Sequence, residues 1–230
     1  MAELKGDDEL QWSPVVANNS MNRKRKATGI NSYEKDTKFN PISFFEKKLS
    51  HKSVKWLDLC CGEGNALIET AKYFQHKSFS YKPQFYGIDL VDFFSKDKPD
   101  NVSFQTLNLA NWQPSEKYDL ITCVHGLHYM GDKLGLIAKA SRALTPEGIF
   151  IGNLDIKNIL ISDEKDSSKI IQSHFKKHGI QYNYRTKMLH IDGFSKLNTN
   201  FKFKGADDQA GSNYTGQEVV NSYYSPLTDK

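Results

Sequence analysis

From residue 53 the chain alternates between two hydrophobic periods. Residues 54–59, Val54-Lys55-Trp56-Leu57-Asp58-Leu59, form a short apolar run that stops at Cys60-Cys61-Gly62-Glu63-Gly64, the pattern of a buried strand ending in a turn. Ala66, Leu67, Ile68, Ala71 and Phe74 then recur at helical spacing. Residues 84–90, 101–107 and 117–124 predict three more strands, the second of them alternating and half-buried. A helix is expected over 133–144, a break at Thr145-Pro146-Glu147-Gly148 and a fifth strand over 148–153. Beyond it come a helix over 163–178 and strands over 182–191 and 201–204, with an antiparallel hairpin closing the sheet. This alternation predicts an α/β fold: a doubly wound, mostly parallel sheet covered on both faces. Right-handed crossovers then put a ligand at the carboxyl ends of the strands, so the residues just after each strand are the informative ones.

The first 40 residues follow a different pattern. They are polar and hold the densest charge run, Arg23-Lys24-Arg25-Lys26. Trp12 and Val15-Val16-Ala17 interrupt that polarity, so part of the segment should pack on the body. Asn40-Pro41 opens a helix as cap and first residue, with Ile42, Phe45 and Leu49 on one face. The domain reading is an N-terminal extension over 1–50, acting as a lid, and a body over 51–230.

Composition narrows the class. The 230 residues are 38% hydrophobic and 12% aromatic, enough for a core, and a net charge of +4 is only mildly basic. A mean hydropathy of −0.60 fits a chain with a solvated extension. Cys60, Cys61 and Cys123 are too few for a disulfide framework and lack metal-ligand spacing, so a reducing compartment and no metal are expected. No apolar run reaches the ~18 residues a membrane span needs, and residues 1–8 hold no signal-peptide core. A cytoplasmic protein is the expectation.

The strand ends carry the candidate chemistry. Gly62 and Gly64 allow a tight turn and close backbone approach, with Asp58 near the strand end. The third glycine of the dinucleotide fingerprint is missing, which counts against nicotinamide and other pyrophosphate cofactors. Asp89 ends the second strand about 25 residues beyond Gly64, where an acid can accept from both ribose hydroxyls. Asn108 follows the third strand and can bond an adenine edge, and Trp112 can stack or fill core. His125, Gly126, His128 and Tyr129 follow the fourth strand; an imidazole there can act as a base near neutral pH.

These loops, in this order, resemble the class I, Rossmann-like, S-adenosylmethionine (SAM)-dependent methyltransferases. Trp56-Leu57-Asp58-Leu59-Cys60-Cys61-Gly62-Glu63-Gly64 is similar to that family's first motif, with Cys60 in place of a glycine. Gly87-Ile88-Asp89, Leu107-Asn108-Leu109 and Tyr118-Asp119-Leu120-Ile121 through His125 resemble the next three, and Leu144-Thr145-Pro146-Glu147-Gly148 the family's turn before the fifth strand. The resemblance covers about residues 53–153 and implies a seven-stranded sheet with SAM as cofactor and S-adenosylhomocysteine (SAH) as product. It implies Asp58, Cys60, Gly62 and Gly64 around the methionine part, Asp89 and Leu90 at the ribose, Asn108 and Leu109 at the adenine, and His125 near the sulfonium. His128 and Tyr129 are the catalytic candidates, and Tyr33 and Arg23 of the lid are candidates to touch cofactor or substrate.

The flanks, including Trp12-Ser13-Pro14-Val15-Val16-Ala17-Asn18, Met21-Asn22-Arg23, Asn31-Ser32-Tyr33 and Asn213-Tyr214-Thr215-Gly216, resemble an uncharacterised bacterial-type branch of the family. The expected reaction is methyl transfer to an O or N atom of a small molecule or short peptide. The alternative is a nucleic-acid (RNA) methyltransferase or binder using Arg23-Lys24-Arg25-Lys26. The Asn-Pro-Pro-Tyr motif of DNA amine methylation is absent, which turns the expectation away from nucleic acid. A nicotinamide-dependent oxidoreductase and a non-enzymatic scaffold are the remaining rivals.

Overall fold

The strand β1 (Lys55–Leu59), buried from Trp56 to Leu59, is the centre of the molecule. The computed structural model describes residues 3–17, 23–195 and 197–227; Asn18, Met21 and Asn22 of the flanking stretches lie outside them. Three short helices precede β1: α1 (Asp7–Leu10), α2 (Tyr33–Thr37) and α3 (Pro41–Leu49). In α3 the Asn40 side chain accepts from the Ser43 amide, as the Asn-Pro start predicts, and Phe45 and Leu49 face inward. After β1 come α4 (Asn65–Gln75), β2 (Gln84–Asp89), β3 (Val102–Thr106), β4 (Tyr118–Cys123), α5 (Lys133–Ala143) and β5 (Leu144–Asn153). The chain ends with β6 (Ile159–Ile161), α6 (Ser167–Lys177), β7 (Gln181–Asn183), β8 (Met188–Asp192), β9 (Phe201–Asp207) and β10 (Asn221–Pro226).

The main sheet has seven strands in the order β3-β2-β1-β4-β5-β8-β7. Its first five strands pair in parallel, and β8 and β7 join antiparallel. This is the mostly parallel, doubly wound sheet that the strand–helix alternation predicts. One apolar layer holds Phe45, Leu49, Leu67 and Phe74 against Trp56 and Phe85. The opposite layer packs Leu134, Ile137, Ile171 and Phe175 against Leu57, Ile121 and Phe150.

Several expectations shift. The fifth strand begins at Leu144, which pairs with Tyr118; the register then jumps so that Leu120 faces Ile149. Residues 145–148 bulge out because Pro146 has no N–H for the ladder. The closing hairpin lies entirely within Gln181–Asp192, its turn dividing the expected 182–191 strand. The strand from Phe201 belongs instead to a second sheet, order β6-β10-β9, which the hydrophobic pattern did not foretell. The strand over 102–106 is less buried than its alternation implied: it is a sheet edge, and only Val102 is buried. The last helix begins at Ser167, where the Asp166 side chain caps the Lys169 amide. In the N-terminal segment Val15 is buried with Leu10, Ala206 and Val220, whereas Trp12 is 78% exposed.

The second sheet is tied to the first by a buried lysine. Lys133 Nζ donates to Met130 O at 2.9 Å, Val220 O at 2.8 Å and Ser222 Oγ at 2.6 Å, one bond for each ammonium proton. Burial pulls its pKa down to about 7 against the carboxylates of Asp7, Asp132 and Asp207. Beside it, Tyr224 OH accepts from the Leu134 amide and donates to Asp132.

Replacing Lys133 by Met leaves one buried and one part-buried carbonyl without this donor. The variant should lose on the order of 3 kcal/mol in urea unfolding, and a loss below about 1 kcal/mol would contradict the tie. The unfolded lysine keeps its proton to about pH 10.4, while the folded one releases it near 7. The unfolded state therefore binds more protons in that window, and wild-type stability should rise with pH across it. Lys133→Met should lack that component of the slope.

Candidate active site

The turn after β1 is held in left-handed backbone at Cys60 (φ 59°), Gly62 (φ 61°) and Gly64 (φ 77°). A Cβ on Gly62 would lie 2.7 Å from the Arg23 carbonyl oxygen, because the N-terminal segment runs directly over the turn. The Glu63 amide donates to that carbonyl at 3.0 Å. A Cβ on Gly64 would lie 2.2 Å from the Phe104 ring. Gly64 therefore serves packing behind the turn, whereas Gly62 serves the approach of chain to chain.

Asp89 closes β2 against this turn. Its Oδ2 accepts from the Gly62 amide at 2.8 Å, and its Oδ1 accepts from the Val91 amide at 3.2 Å and from Arg23 Nη1 at 3.3 Å. Burial raises its pKa, and the bonds from Gly62 and Val91, together with the Arg23 charge, oppose that rise. The Arg23 guanidinium also sits 5.3 Å from the centre of the Phe93 ring.

Asp58 is wholly buried and does not reach the cavity. Tyr33 OH donates to its Oδ2 at 2.8 Å and Thr122 Oγ1 to its Oδ1 at 2.6 Å; Thr122 in turn accepts from Trp56 Nε1 at 2.7 Å. Burial raises the Asp58 pKa to about 7, opposed by the two hydroxyl donors. Its geometric role is to anchor Tyr33, the residue that does reach the cavity.

At the end of β3 the Asn108 amide is engaged at both ends. Its Oδ1 accepts from the Ala110 amide at 3.0 Å, and its Nδ2 donates to Gln11 Oε1 at 3.2 Å and Asp7 O at 3.5 Å. Leu109 and Trp112 are buried, and Trp112 belongs to the apolar core.

The turn after β4 holds the titratable cluster. His125 has φ 63°, an uncommon backbone for a residue with a side chain. Its amide donates to Asn153 Oδ1 at 3.3 Å, and its Nε2 lies 3.1 Å from Asp36 Oδ2. Arg25 Nε reaches the same carboxylate oxygen at 2.8 Å. Burial works against ionisation of Asp36, but the bonds from His125 and Arg25 outweigh it and hold its carboxyl below the ordinary value. The second ring nitrogen, His125 Nδ1, is buried and has no hydrogen-bond partner among the described residues. His128 is only 2% exposed and sits behind the wall, its Nε2 3.4 Å from Tyr214 OH. Burial, with His125 and Lys133 nearby, pushes its pKa down to about 3. Tyr129 reaches the cavity, and burial raises its hydroxyl pKa.

One cavity of about 350 Å³ joins these loops, within the range of small-molecule sites. Of the residues expected from the sequence, Tyr33, Cys60, Gly62, Asp89, Leu90, Asn108, Leu109, His125 and Tyr129 line it; Asp58, Gly64 and His128 do not. The cavity also takes in Asp7, Gln11, Arg25, Thr215 and Gln217, and Asp36 stands behind Arg25 and His125. Sequence reasoning missed these residues because they lie on the flanks, where charge reads as solvated surface. Among the described residues, no group of three or more His, Cys, Asp or Glu is placed to hold a metal ion.

The family model described as "Methyltransferase domain" matches residues 23–168, more than half of the chain. No curated protein matches the chain. Among solved structures it is similar to the O-methyltransferase of a trans-AT PKS multienzyme from Brevibacillus brevis in complex with S-adenosyl-L-homocysteine, at 17% identity, covering 68% of this chain and 47% of that one, with a TM-score of 0.42. It is also similar to coclaurine N-methyltransferase bound to N-methylheliamine and SAH, at 14% identity, 66% and 45% coverage and a TM-score of 0.42. A third is an S-adenosylmethionine-dependent methyltransferase from Clostridium acetobutylicum, at 22% identity, 50% and 47% coverage and a TM-score of 0.37. In each case the chain spans less than half of the solved protein. On the family match, the chain belongs to the methyltransferase-domain family.

Proposed function

We propose that the cavity at the carboxyl ends of β1, β2, β3 and β4 binds SAM and that the enzyme methylates an O or N atom of a small molecule or short peptide. The observation that carries this reading is the meeting of the Asp89 carboxylate, the Gly62 turn and His125 in one cavity under the N-terminal segment. The residues fit the cofactor: Asp89 is a buried acceptor suited to ribose hydroxyls, and the turn lacks the third glycine that a pyrophosphate asks for. Arg23 already touches Asp89 Oδ1, so a hydroxyl bound there shares the oxygen with a residue of the covering segment. That couples closure to cofactor binding.

SAM, when bound, would supply a methyl group on a sulfonium for transfer to the acceptor. The protein has to align the acceptor, exclude water and, for a hydroxyl, take its proton. We assign the proton-taking role to His125 rather than His128. The ionised Asp36 carboxylate accepts the Nε2–H, which leaves the lone pair on Nδ1, where no donor among the described residues competes. A histidine with a pKa near 3 is too weak a base for that role. Tyr129 keeps its proton at neutral pH and serves as a hydrogen-bond donor to the acceptor. Residues 23–37, held by the Tyr33–Asp58 and Asp36–His125 bonds, are the covering part of the lid. The helix over Pro41–Leu49 packs as part of the body.

The arginines favour a small-molecule or peptide acceptor over RNA. Arg23 and Arg25 turn inward onto Asp89 and Asp36, so the basic run does not present a continuous stripe to a phosphate backbone. A cytoplasmic setting suits the three free cysteines. No helix among the described residues is long and apolar enough to cross a membrane.

Three measurements test this reading. With methyl-labelled SAM, label should pass to small hydroxyl or amine acceptors or short peptides; label passing only to RNA would overturn it. Asp89→Ala should lose about 1–3 kcal/mol of SAH affinity, the cost of unpaired buried groups, and unchanged affinity would remove Asp89 from the cofactor site. His125→Ala should lower turnover of a hydroxyl acceptor by roughly 100-fold or more, and His128→Ala by less than about 5-fold. The reverse order would return the base role to His128.

A further inference from the structure

The N-terminal helix α1 meets the cavity at the end where the cofactor's adenine belongs, beside Asn108 and Leu109. It is fixed there from both sides. Lys5 exchanges backbone bonds with Ala206 of the second sheet at 2.8 and 2.9 Å, and Lys5 Nζ pairs with Asp208 at 3.0 Å. From the main sheet, Asn108 Nδ2 donates to Gln11 and Asp7 O, and the Asp132 amide donates to Asp7 Oδ1 at 3.3 Å. The carboxylate is set hard against the 130–132 turn: a Cβ on Gly131 would lie 2.4 Å from Asp7 Oδ1.

An adenine amino group needs an acceptor at this end, and the amide oxygens there each accept one bond already, which leaves one lone pair apiece. Asn108 Oδ1 already accepts from Ala110. Gln11 spends its Oε1 on Asn108 and its Nε2 on Asp8 O, at 2.8 Å. Asp7 differs: a carboxylate offers about four acceptor positions, and among the described residues the Gly131 and Asp132 amides draw on it. It is half-buried, so its spare lone pairs are partly cut off from water and gain most from a donor in the cavity.

We propose that Asp7 accepts the adenine amino group and is the residue that makes the site selective for adenine. α1 then forms the outer wall of the cofactor site. This rests on the reading of the cavity as the SAM site. Asp7 stands outside the family-matched residues 23–168, so this contact belongs to the chain's own N-terminal segment.

The test uses SAH and its analogue with purine in place of adenine, which keeps the ring nitrogens and lacks only the amino group. Calorimetric affinities are measured for the full chain and for Asp7→Ala. Wild type should bind SAH at least about 10-fold more tightly than the analogue. Asp7→Ala should weaken SAH by a similar factor and shrink the difference between the two ligands to less than about 3-fold. A structural role alone would weaken both ligands equally and leave their ratio intact. Wild type that fails to tell the ligands apart overturns the proposal even if the variant does not fold. Undiminished discrimination by a folded Asp7→Ala overturns it too. Wild type that binds neither ligand overturns the parent reading, and this one with it.

Discussion

A carboxylate shut away from water, Asp58, joins the sheet to the segment that covers it. A buried acid is tolerated only when hydrogen-bond partners surround it, and here they come from two directions: Thr122 on the neighbouring strand and Tyr33 on the N-terminal segment. The same carboxylate thus sets the register of β1 beside β4 and the position of the chain above them. With Tyr33 fixed, Arg23 and Arg25 lie over the strand ends, and Asp36 is brought to His125.

The consequence is a site with two kinds of wall. The floor is made by strand ends whose left-handed turns, at Cys60, Gly62 and His125, expose backbone and side chain upward. The roof is made by polar groups from the flanks, each held by a partner in the floor. On the proposed reading, cofactor binding and closure would be one electrostatic arrangement, since Asp89, the acid proposed for the ribose, is also held by Arg23 of the covering segment. The thiols at the strand ends take no part in it: a hydrogen bond with Cys123, together with burial, keeps the Cys60 thiol well above its ordinary pKa, and it stays neutral.

The floor was legible in the sequence because it obeys period and punctuation. Apolar runs ending at Gly62, Asp89, Asn108 and His125 are strands of a parallel sheet with polar residues at their ends, and those are the residues that line the cavity. Burial was not legible to the same degree. Asp58 and His128 sit among cavity residues in the chain but do not line the cavity in the fold: a strand alternates its side chains between faces and a 3₁₀ turn spreads them three to a turn. The roof was nearly illegible. Asp7, Gln11 and Asp36 stand in polar stretches where nothing in the spacing tells an inward acid from a solvated one. The second sheet was missed because β6 has only three residues and β10 is rich in Ser and Tyr.

The most direct test of a SAM site in this cavity is a calorimetric titration of the full chain with SAH and, separately, with NADH. Micromolar binding of SAH and none of NADH is the expected outcome, since the acid-flanked turn suits a ribose and a sulfonium and lacks the third glycine for a pyrophosphate. Binding of NADH with silence from SAH would contradict the account, because the Asp89 carboxylate and the Gly62 turn would then be holding a different cofactor.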